Sequence, residues 1–390
     1  MTTKRRPRPP YRVQIVADSR WEYFREAVLG ARHYGFETGR LEFAERWLDY
    51  EFSGDLAALV KRDGVQGIVA TLHTPALERR FAKLSVPVVN ISNGPVSSLV
   101  PLITQDDVAV GRLAAAHLRA CGCRAFGFWG MAGAAFSDQR LKGFSAALAE
   151  QGLVPAVGLA RGNAAGWTRR LQAWLAALPR PTGVYAADDM YALAVIRAAR
   201  ALGLRVPEDV AVLGTGNEDF WVDFERVPLS SIKLPARAIG HEAAALLDRL
   251  ITRGVRTEKE AARRLPVTEI ARRRSTDVIF CEDEAVGRAL HYIRDRAHEN
   301  PYVEDIARVA GVSRASLKMR FRKAVGRSVM AEILRTRIGR AQALLAETDL
   351  PMSQVAERCG FPNSQRFSVR FKKITRLTPS AYRASLRPKA

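Results

Sequence analysis

Cysteine is scarce: four in 390 residues, too few and too scattered for a disulfide framework. Cys121 and Cys123 form a Cys-x-Cys pair, but no second ligand pair follows at zinc spacing. They read as small residues at a helix-to-strand turn. Six histidines likewise make no metal-ligand spacing, so neither a metal nor a cofactor is expected. Long apolar runs are missing too. No stretch reaches the roughly 20 residues of a membrane span, and the basic start MTTKRRPRPPYRVQIVADS lacks the apolar core of a secretory signal. A reducing, cytoplasmic setting is therefore expected. Common catalytic motifs are also absent. ADSRWEY stands after the first strand where Gly-x-Gly-x-x-Gly would bind a dinucleotide, and neither a Walker-type phosphate loop nor a Gly-x-Ser-x-Gly elbow occurs. Binding is favoured over catalysis. An enzyme would have to find its acid/base pair among Asp106, Asp107, Asp188, Asp189 and Glu218.

Positive charge, by contrast, is plentiful and uneven. The net charge is +21, and residues 285–390 hold 22 Lys and Arg against 8 Asp and Glu. Charge concentrated in one terminal block points to a polyanionic partner for that block.

Before that block, short apolar runs alternate with helical patterns. RVQIVA precedes EYFREAVLGARHYG, RAFGFWG precedes SDQRLKGFSAALAEQG, and TGVYAAD precedes MYALAVIRAARALG. Such alternation predicts α/β architecture with parallel sheets covered on both faces. Ligands of such sheets bind beyond the carboxyl ends of the strands. The polar residues there are Asp18, His73, Asp106, Asp107, Asp188, Asp189, Asn217 and Glu218. They suit a small polyhydroxylated molecule, with Trp21, Phe136 or Trp221 available to stack on a sugar's apolar face. Any single member could instead be a helix N-cap, Asp188 most clearly.

After IARRRSTDVIFCEDE the pattern turns wholly helical. EAVGRALHYIRDRAHE spaces Val286, Leu290 and Ile293 as one helical face. In VEDIARVAGVSRASLKMRFRKAVG, Gly311 makes a turn and Ser313 caps the next helix. Leu317 and Phe321 then face inward, while Arg314, Ala315, Lys318, Met319 and Arg322 face outward. Fifty residues on, Phe367, Phe371, Lys372 and Lys373 echo Leu317, Phe321, Arg322 and Lys323. Two helix-turn-helix units are predicted, joined by a helix from Ser328 to about Thr348. Its length of about 30 Å nearly matches the roughly 34 Å rise of one duplex turn, so both recognition helices could enter successive major grooves.

These segments carry two resemblances. Residues 11–274, through ITQDDVAVGRLAAAHLRACGCRAFGFWG, DQRLKGFSAALAEQGL, VYAADDMYALAVIRAARALGLRVPEDVAVLGTGNED and PLSSIKLPARAIGHEAAALLDRLI, resemble the periplasmic-binding-protein-like sensor of the LacI/GalR regulators. That resemblance implies two lobes with a sugar in the cleft and ligand contacts at Asp106, Arg140 and Asp188. It also implies an aspartate where Gly216 stands, which leaves Asn217 and Glu218 as neighbouring candidates. That family carries a helix-turn-helix ahead of the sensor; only about ten residues precede the first strand here, so any DNA binding is expected elsewhere in the chain.

Residues 285–388, with PMSQVAERCGFPNSQRFSVRFKKITRLTPSAYR, resemble the AraC/XylS DNA-binding domain. By that resemblance Ala315, Lys318 and Met319 in the first reader would face base edges. Ser364, Gln365, Ser368 and Val369 would do so in the second. Arg322, Lys372 and Lys373 would face phosphates. Pro362 and Arg366 depart from a usual hydroxyl or acidic residue and a usual aromatic. A sensor ahead of the reader, with residues 275–284 as linker, is similar to the order in XylR-like xylose-operon regulators. The expected partners are operator DNA, a xylose-like sugar, RNA polymerase and a second copy of the chain. The remaining alternative is a sensor that binds no sugar and serves for dimerisation.

Overall fold

The computed structural model describes residues 9–44, 48–49, 52, 54–93, 99–161, 164–218, 227–256, 262–278 and 283–386. The chain divides into two compact units between Val278 and Ile279.

The first unit begins with β1 (Tyr11–Val16), α1 (Glu22–Thr38), β2 (Leu41–Phe43), α2 (Leu56–Arg62), β3 (Gly67–Ala70), α3 (Pro75–Ala82), β4 (Val88–Asn90) and β5 (Leu102–Gln105). It continues with α4 (Asp107–Ala120), β6 (Ala125–Met131), α5 (Ala135–Ala149), β7 (Ala156–Ala160), α6 (Ala164–Ala177), β8 (Thr182–Ala186), α7 (Asp189–Ala201) and β9 (Val210–Gly216). It closes with β10 (Ser230–Lys233), α8 (Ala236–Arg253), β11 (Ala262–Leu265) and β12 (Ile270–Ala271). These strands form two six-stranded sheets, ordered β11-β5-β4-β3-β1-β2 and β12-β10-β9-β8-β6-β7. All pairings are parallel except β10 with β12. The chain passes between the lobes after β5, after β10 and after β11, so neither lobe is continuous in sequence.

The central strands of each sheet, such as β3 and β8, are buried along their whole length, as unbroken apolar strands require. One side of the first sheet packs Val13, Val69, Val89 and Ile103 against Ala27, Ala31, Ile239, Ala243 and Leu247 of α1 and α8. The other packs Val16, Ile68 and Ala70 against Leu56, Val60 and Phe81. Within each lobe one helix pair approaches to backbone contact. A side chain at Gly240 would collide with the Ala27 carbonyl, and one at Gly143 with the Val108 carbonyl. The second of these contacts seats α4 on α5, the helices that carry Asp107 and Arg140.

The second unit is wholly helical among its described residues: α9 (Glu284–Arg296), α10 (Val303–Ala310), α11 (Arg314–Val325), α12 (Val329–Glu347), α13 (Met352–Arg358), α14 (Ser364–Thr375) and α15 (Pro379–Leu386). It has two cores. Val286, Leu290, Ile293, Ile306, Leu317 and Phe321 form one with Val329 and Ile333. Val355, Phe361, Phe367 and Phe371 form the other with Ile338, Ala341 and Leu345. The connecting helix α12 therefore supplies its first half to one core and its second half to the other. It is structural to both, where sequence alone offered a rigid spacer.

The unit boundary falls inside the stretch expected as linker, 275–284, and both ends of that stretch are tied into their units. Ser275 and Thr276 are buried in the sensor, where the Ser275 hydroxyl donates to the Val212 carbonyl (2.6 Å) and Thr276 to Ser230 Oγ (2.8 Å). At the far end Asp283 already caps α9 and binds Arg320. Small hydroxyls beside charged residues look like linker in sequence, but here they satisfy strand-end donors and acceptors.

Candidate ligand cleft and nucleic-acid interface

The parallel register places several expected residues side by side. Asp18 and His73 follow the neighbouring strands β1 and β3, while Asp188, Asn217 and Glu218 follow β8 and β9. Phe136 and Arg140 lie on α5, just past β6. Two candidates are helix caps: Asp106 accepts from the Ala109 N–H (3.0 Å) and Asp188 from the Tyr191 N–H (2.9 Å). Asp18 is gripped by Arg20 through two side-chain bonds of 2.8 Å. Burial opposes its charge, but Arg20 holds its carboxyl below the usual range. His73 is half-buried against the edge of Phe24, and burial lowers its pKa. Trp21 packs on the small cluster of Ile15, Ala17, Phe24 and Val28. Trp221 lies outside the described residues.

Arg140 is the centre of the second lobe's strand ends. Only 2% exposed, it donates from Nε to Asp107 Oδ1 (2.7 Å) and from Nη1 to the Ala187 carbonyl. Its guanidinium lies 5.0 Å from the centre of the Phe136 ring. Asp107 also accepts from Gln105 Nε2 at 3.1 and 3.2 Å, and Gln105 Oε1 accepts from the Tyr23 hydroxyl (2.9 Å). A continuous chain of polar contacts thus runs from α1 in one lobe to α5 in the other. Burial pushes the Asp107 carboxyl up even with Arg140 against it.

A cavity of about 400 Å³ opens beside this chain, lined on one side by Glu22, Tyr23 and Glu26 and on the other by Gly216, Asn217 and Glu218. Residues 233–238 complete the lining. Of the expected ligand contacts only Asn217 and Glu218 line it. Asp18, Trp21, His73, Asp106, Phe136, Arg140 and Asp188 lie outside that lining.

Tyr23, Gln105, Ser231 and Arg273 were not singled out from sequence, and Asp107 and Asp189 were named only among the strand-end polar residues. A signal for the roles of these two was present. QDDVAV and ADDMYA each hold an aspartate pair at a helix start. In both, the first aspartate caps the helix, and the second is buried and fixes a partner across the lobe.

Burial raises two further carboxyls, Asp188 to about 6 and Glu218 to about 7, with Asp189 adding to both. Both folded values lie above the unfolded ones, so the folded protein holds extra protons between about pH 4 and 7. The stability these groups contribute is present at acid pH and lost as pH rises through 6 and 7. Urea unfolding of wild type against a D188N/E218Q variant checks this. The wild type should lose stability relative to the variant across that window, and parallel curves would contradict the assignment.

The helical unit repeats with a period of fifty. Ser313 and Asn363 cap α11 and α14 by accepting from Ser316 N–H (3.2 Å) and Arg366 N–H (2.8 Å). Leu317 and Phe321 match Phe367 and Phe371, and all four are fully buried. Gly326 and Arg376 end the two helices in the same left-handed conformation, at φ 75° and 67°. Ser328 and Thr378 cap the helices that follow. Pro362 falls before the Asn363 cap and so blocks nothing.

Opposite each buried pair lies the face expected for DNA. Arg314, Ala315, Lys318, Met319 and Arg322 are exposed on α11; Gln365, Val369, Lys372 and Lys373 are exposed on α14, with Ser364 and Ser368 half-buried beside them. Met319 and Val369, an exposed apolar pair at matching positions, are 69% and 68% accessible. Arg314 donates to Glu304 Oε1 (2.6 Å) in an ion pair exposed on both sides.

Comparison with known proteins follows this division. A periplasmic binding protein-like domain matches residues 115–276, and a helix-turn-helix domain matches residues 306–385. The xylose operon regulatory protein of Escherichia coli K12 is 30% identical, over 98% of this chain and 98% of that protein. Its counterpart in Haemophilus influenzae is 30% identical over 82% of this chain and 85% of its own length. The solved structure of a xylose-binding transcription activator, xylR, covers 97% of this chain and 99% of that one, with a TM-score of 0.65 at 29% identity.

Proposed function

The chain belongs to the xylose operon regulatory protein family, and from that premise we propose that it is a sugar-responsive transcription regulator that activates from operator DNA. The observation that carries this reading is the fifty-residue repeat: two recognition helices, each pinned by a fully buried pair and each exposing the equivalent face. α12 has 19 residues and so spans about 28 Å, close to one duplex turn of about 34 Å. Two readers held at that separation suit two neighbouring major grooves.

In the reader, Lys318 suits guanine acceptors, Gln365 suits adenine, and Ala315 and Val369 suit thymine methyls. Met319, Ser364 and Ser368 complete the base-facing set, with Arg314 alongside; Arg322, Lys372 and Lys373 face phosphates. In the sensor, Asn217 and Glu218 line the cavity assigned here to a pentose-sized ligand, and Asp18, Trp21, His73, Asp106, Phe136, Arg140 and Asp188, near the neighbouring strand ends but outside that lining, are the further contacts to test. D-xylose is the first ligand to test. The sugar shifts the regulator only by its differential affinity for the two states of the sensor. A cytoplasmic homodimer acting with RNA polymerase completes the proposal, since symmetric sensors and repeated half-sites match one another. Gly216 favours a second reading, in which the sensor binds no sugar and serves for dimerisation.

Selection of bound DNA from a random library, repeated with a pentose and hexose panel, tests the whole. Two half-sites about one turn apart and a sugar-dependent affinity are expected. Enrichment of no sequence would sink the reader assignment, and silence across the sugars would favour dimerisation. On the selected site, Gln365→Ala should cost about 1–3 kcal/mol and relax one base pair. Lys373→Ala should weaken all sequences alike and lower the salt slope by about one. Filter binding across salt and base substitutions separates the two; identical behaviour would refute this division of labour.

A further inference from the structure

We propose that Asp189 shapes the ligand cleft at the end of β9, positioning Asn217 and Glu218 in place of an acid at 216. The inference deepens the reading of the cleft as a sugar site and rests on it.

Asp189 is 2% exposed and acts through three neighbours. Its Oδ1 accepts from the Ser231 hydroxyl (2.6 Å), and its Oδ2 accepts from the Glu218 N–H (3.0 Å). The Ser231 oxygen in turn accepts from the Asn217 N–H (2.9 Å). Arg273 Nη1 donates to Asn217 Oδ1 (2.8 Å) and to the Leu229 carbonyl (2.9 Å). The turn 216–218 therefore hangs from one carboxylate, one hydroxyl and one guanidinium, brought from three different segments. Those bonds hold Asn217 in a left-handed conformation, φ 57°, and aim it and Glu218 at the cavity.

The same geometry accounts for glycine at 216. Its φ of 130° is one that side chains rarely adopt. A Cβ there would stand 3.3 Å from Asp189 Oδ2 and 3.7 Å from Glu218 Cγ. An aspartate at 216 would be strained and would face a buried carboxylate of the same sign, and two carboxylates sharing such a site cannot both ionise. One acid fits at this strand end. Here α7 supplies it, and the absent side chain leaves Gly216 as part of the cavity wall.

Asp189 also has an electrostatic reach that a purely structural residue lacks. Glu218 is faced by Asp188 and Asp189 from α7 and by Glu22 and Arg25 from α1, with Lys233, Glu26 and Arg237 around the same cavity. Removing the Asp189 charge while keeping its shape lets Glu218 ionise at lower pH.

The test uses the full chain as wild type, D189N, G216D, G216N and D189N/G216D. Calorimetry with a pentose and hexose panel led by D-xylose runs from pH 5 to 8, and thermal unfolding is followed without sugar. G216D should bind at least tenfold more weakly and melt lower than G216N, whose side chain has the same shape without the charge. The double variant should recover most of that difference in melting. D189N should move the pH midpoint of binding to lower pH. Equal melting of G216D and G216N, additive losses in the double variant, or a D189N effect identical at every pH would each overturn the proposal. Should no sugar bind even the wild type, the cleft reading fails, yet the sugar-free melting comparison still decides the role of Asp189.

Discussion

Phe371→Ala should abolish the second reader and spare the sensor. Phe371 is fully buried, with its ring 5.5 Å from that of Phe367 and 5.4 Å from that of Tyr382. It closes a core that also holds Val355, Ala356 and Phe361. Truncating a buried phenylalanine costs about 3–5 kcal/mol, a large share of the stability of a unit this small. The two reader cores share no buried residue apart from their common use of α12, whose halves serve them separately. Footprinting should therefore show one half-site lost and the other kept, with sugar binding unchanged. Loss of both half-sites would mean that α12 couples the two cores, and an intact double footprint would refute the anchoring role. Leu317→Ala is the matching experiment on the first half-site, at about 2–5 kcal/mol.

Arg140→Met should cost nearly as much and act on the other unit. The Arg140–Asp107 pair is buried on both sides, at 2% and 8% exposure. Removing one partner leaves an uncompensated buried charge, a loss of about 3–5 kcal/mol, whereas replacing both by apolar groups of similar volume is often neutral. The double variant R140M/D107L therefore separates two roles. If Arg140 only braces the lobe, the double variant regains stability and sugar binding together. If it also holds ligand hydroxyls, stability returns while sugar-dependent operator binding does not. The second outcome is expected; calorimetry and urea unfolding on the same proteins read both quantities. Recovered binding in the double variant would remove Arg140 from the ligand site.

Much of the reader was legible because its information is local. Helical spacing put Leu317 with Phe321 and Phe367 with Phe371 on inner faces, and the same spacing put Ala315, Met319, Gln365 and Val369 outside. Ser313 was readable as a cap from its place alone. α12 was legible as a helix but not as a shared core element, because membership in two clusters depends on what packs against it.

The sensor divides differently. Amino-acid order determined its alternating strands and helices, and hence which residues stand at strand ends, because apolar runs and helical periodicity are properties of short windows. A short window marks Asp188 as a helix cap but does not state what its neighbour Asp189 turns inward to meet. Asp106 and Asp188 took the helix caps, while Asp107 and Asp189 were buried against Arg140 and Ser231, which lie 33 and 42 residues away. Gly216 is visible as a departure in sequence, but its reason is a carboxylate 27 positions earlier in the chain. Periodicity fixed the elements of this protein; only the parallel register and the crossovers between lobes decided which charges meet, since burial and Coulomb interaction depend on distance in space.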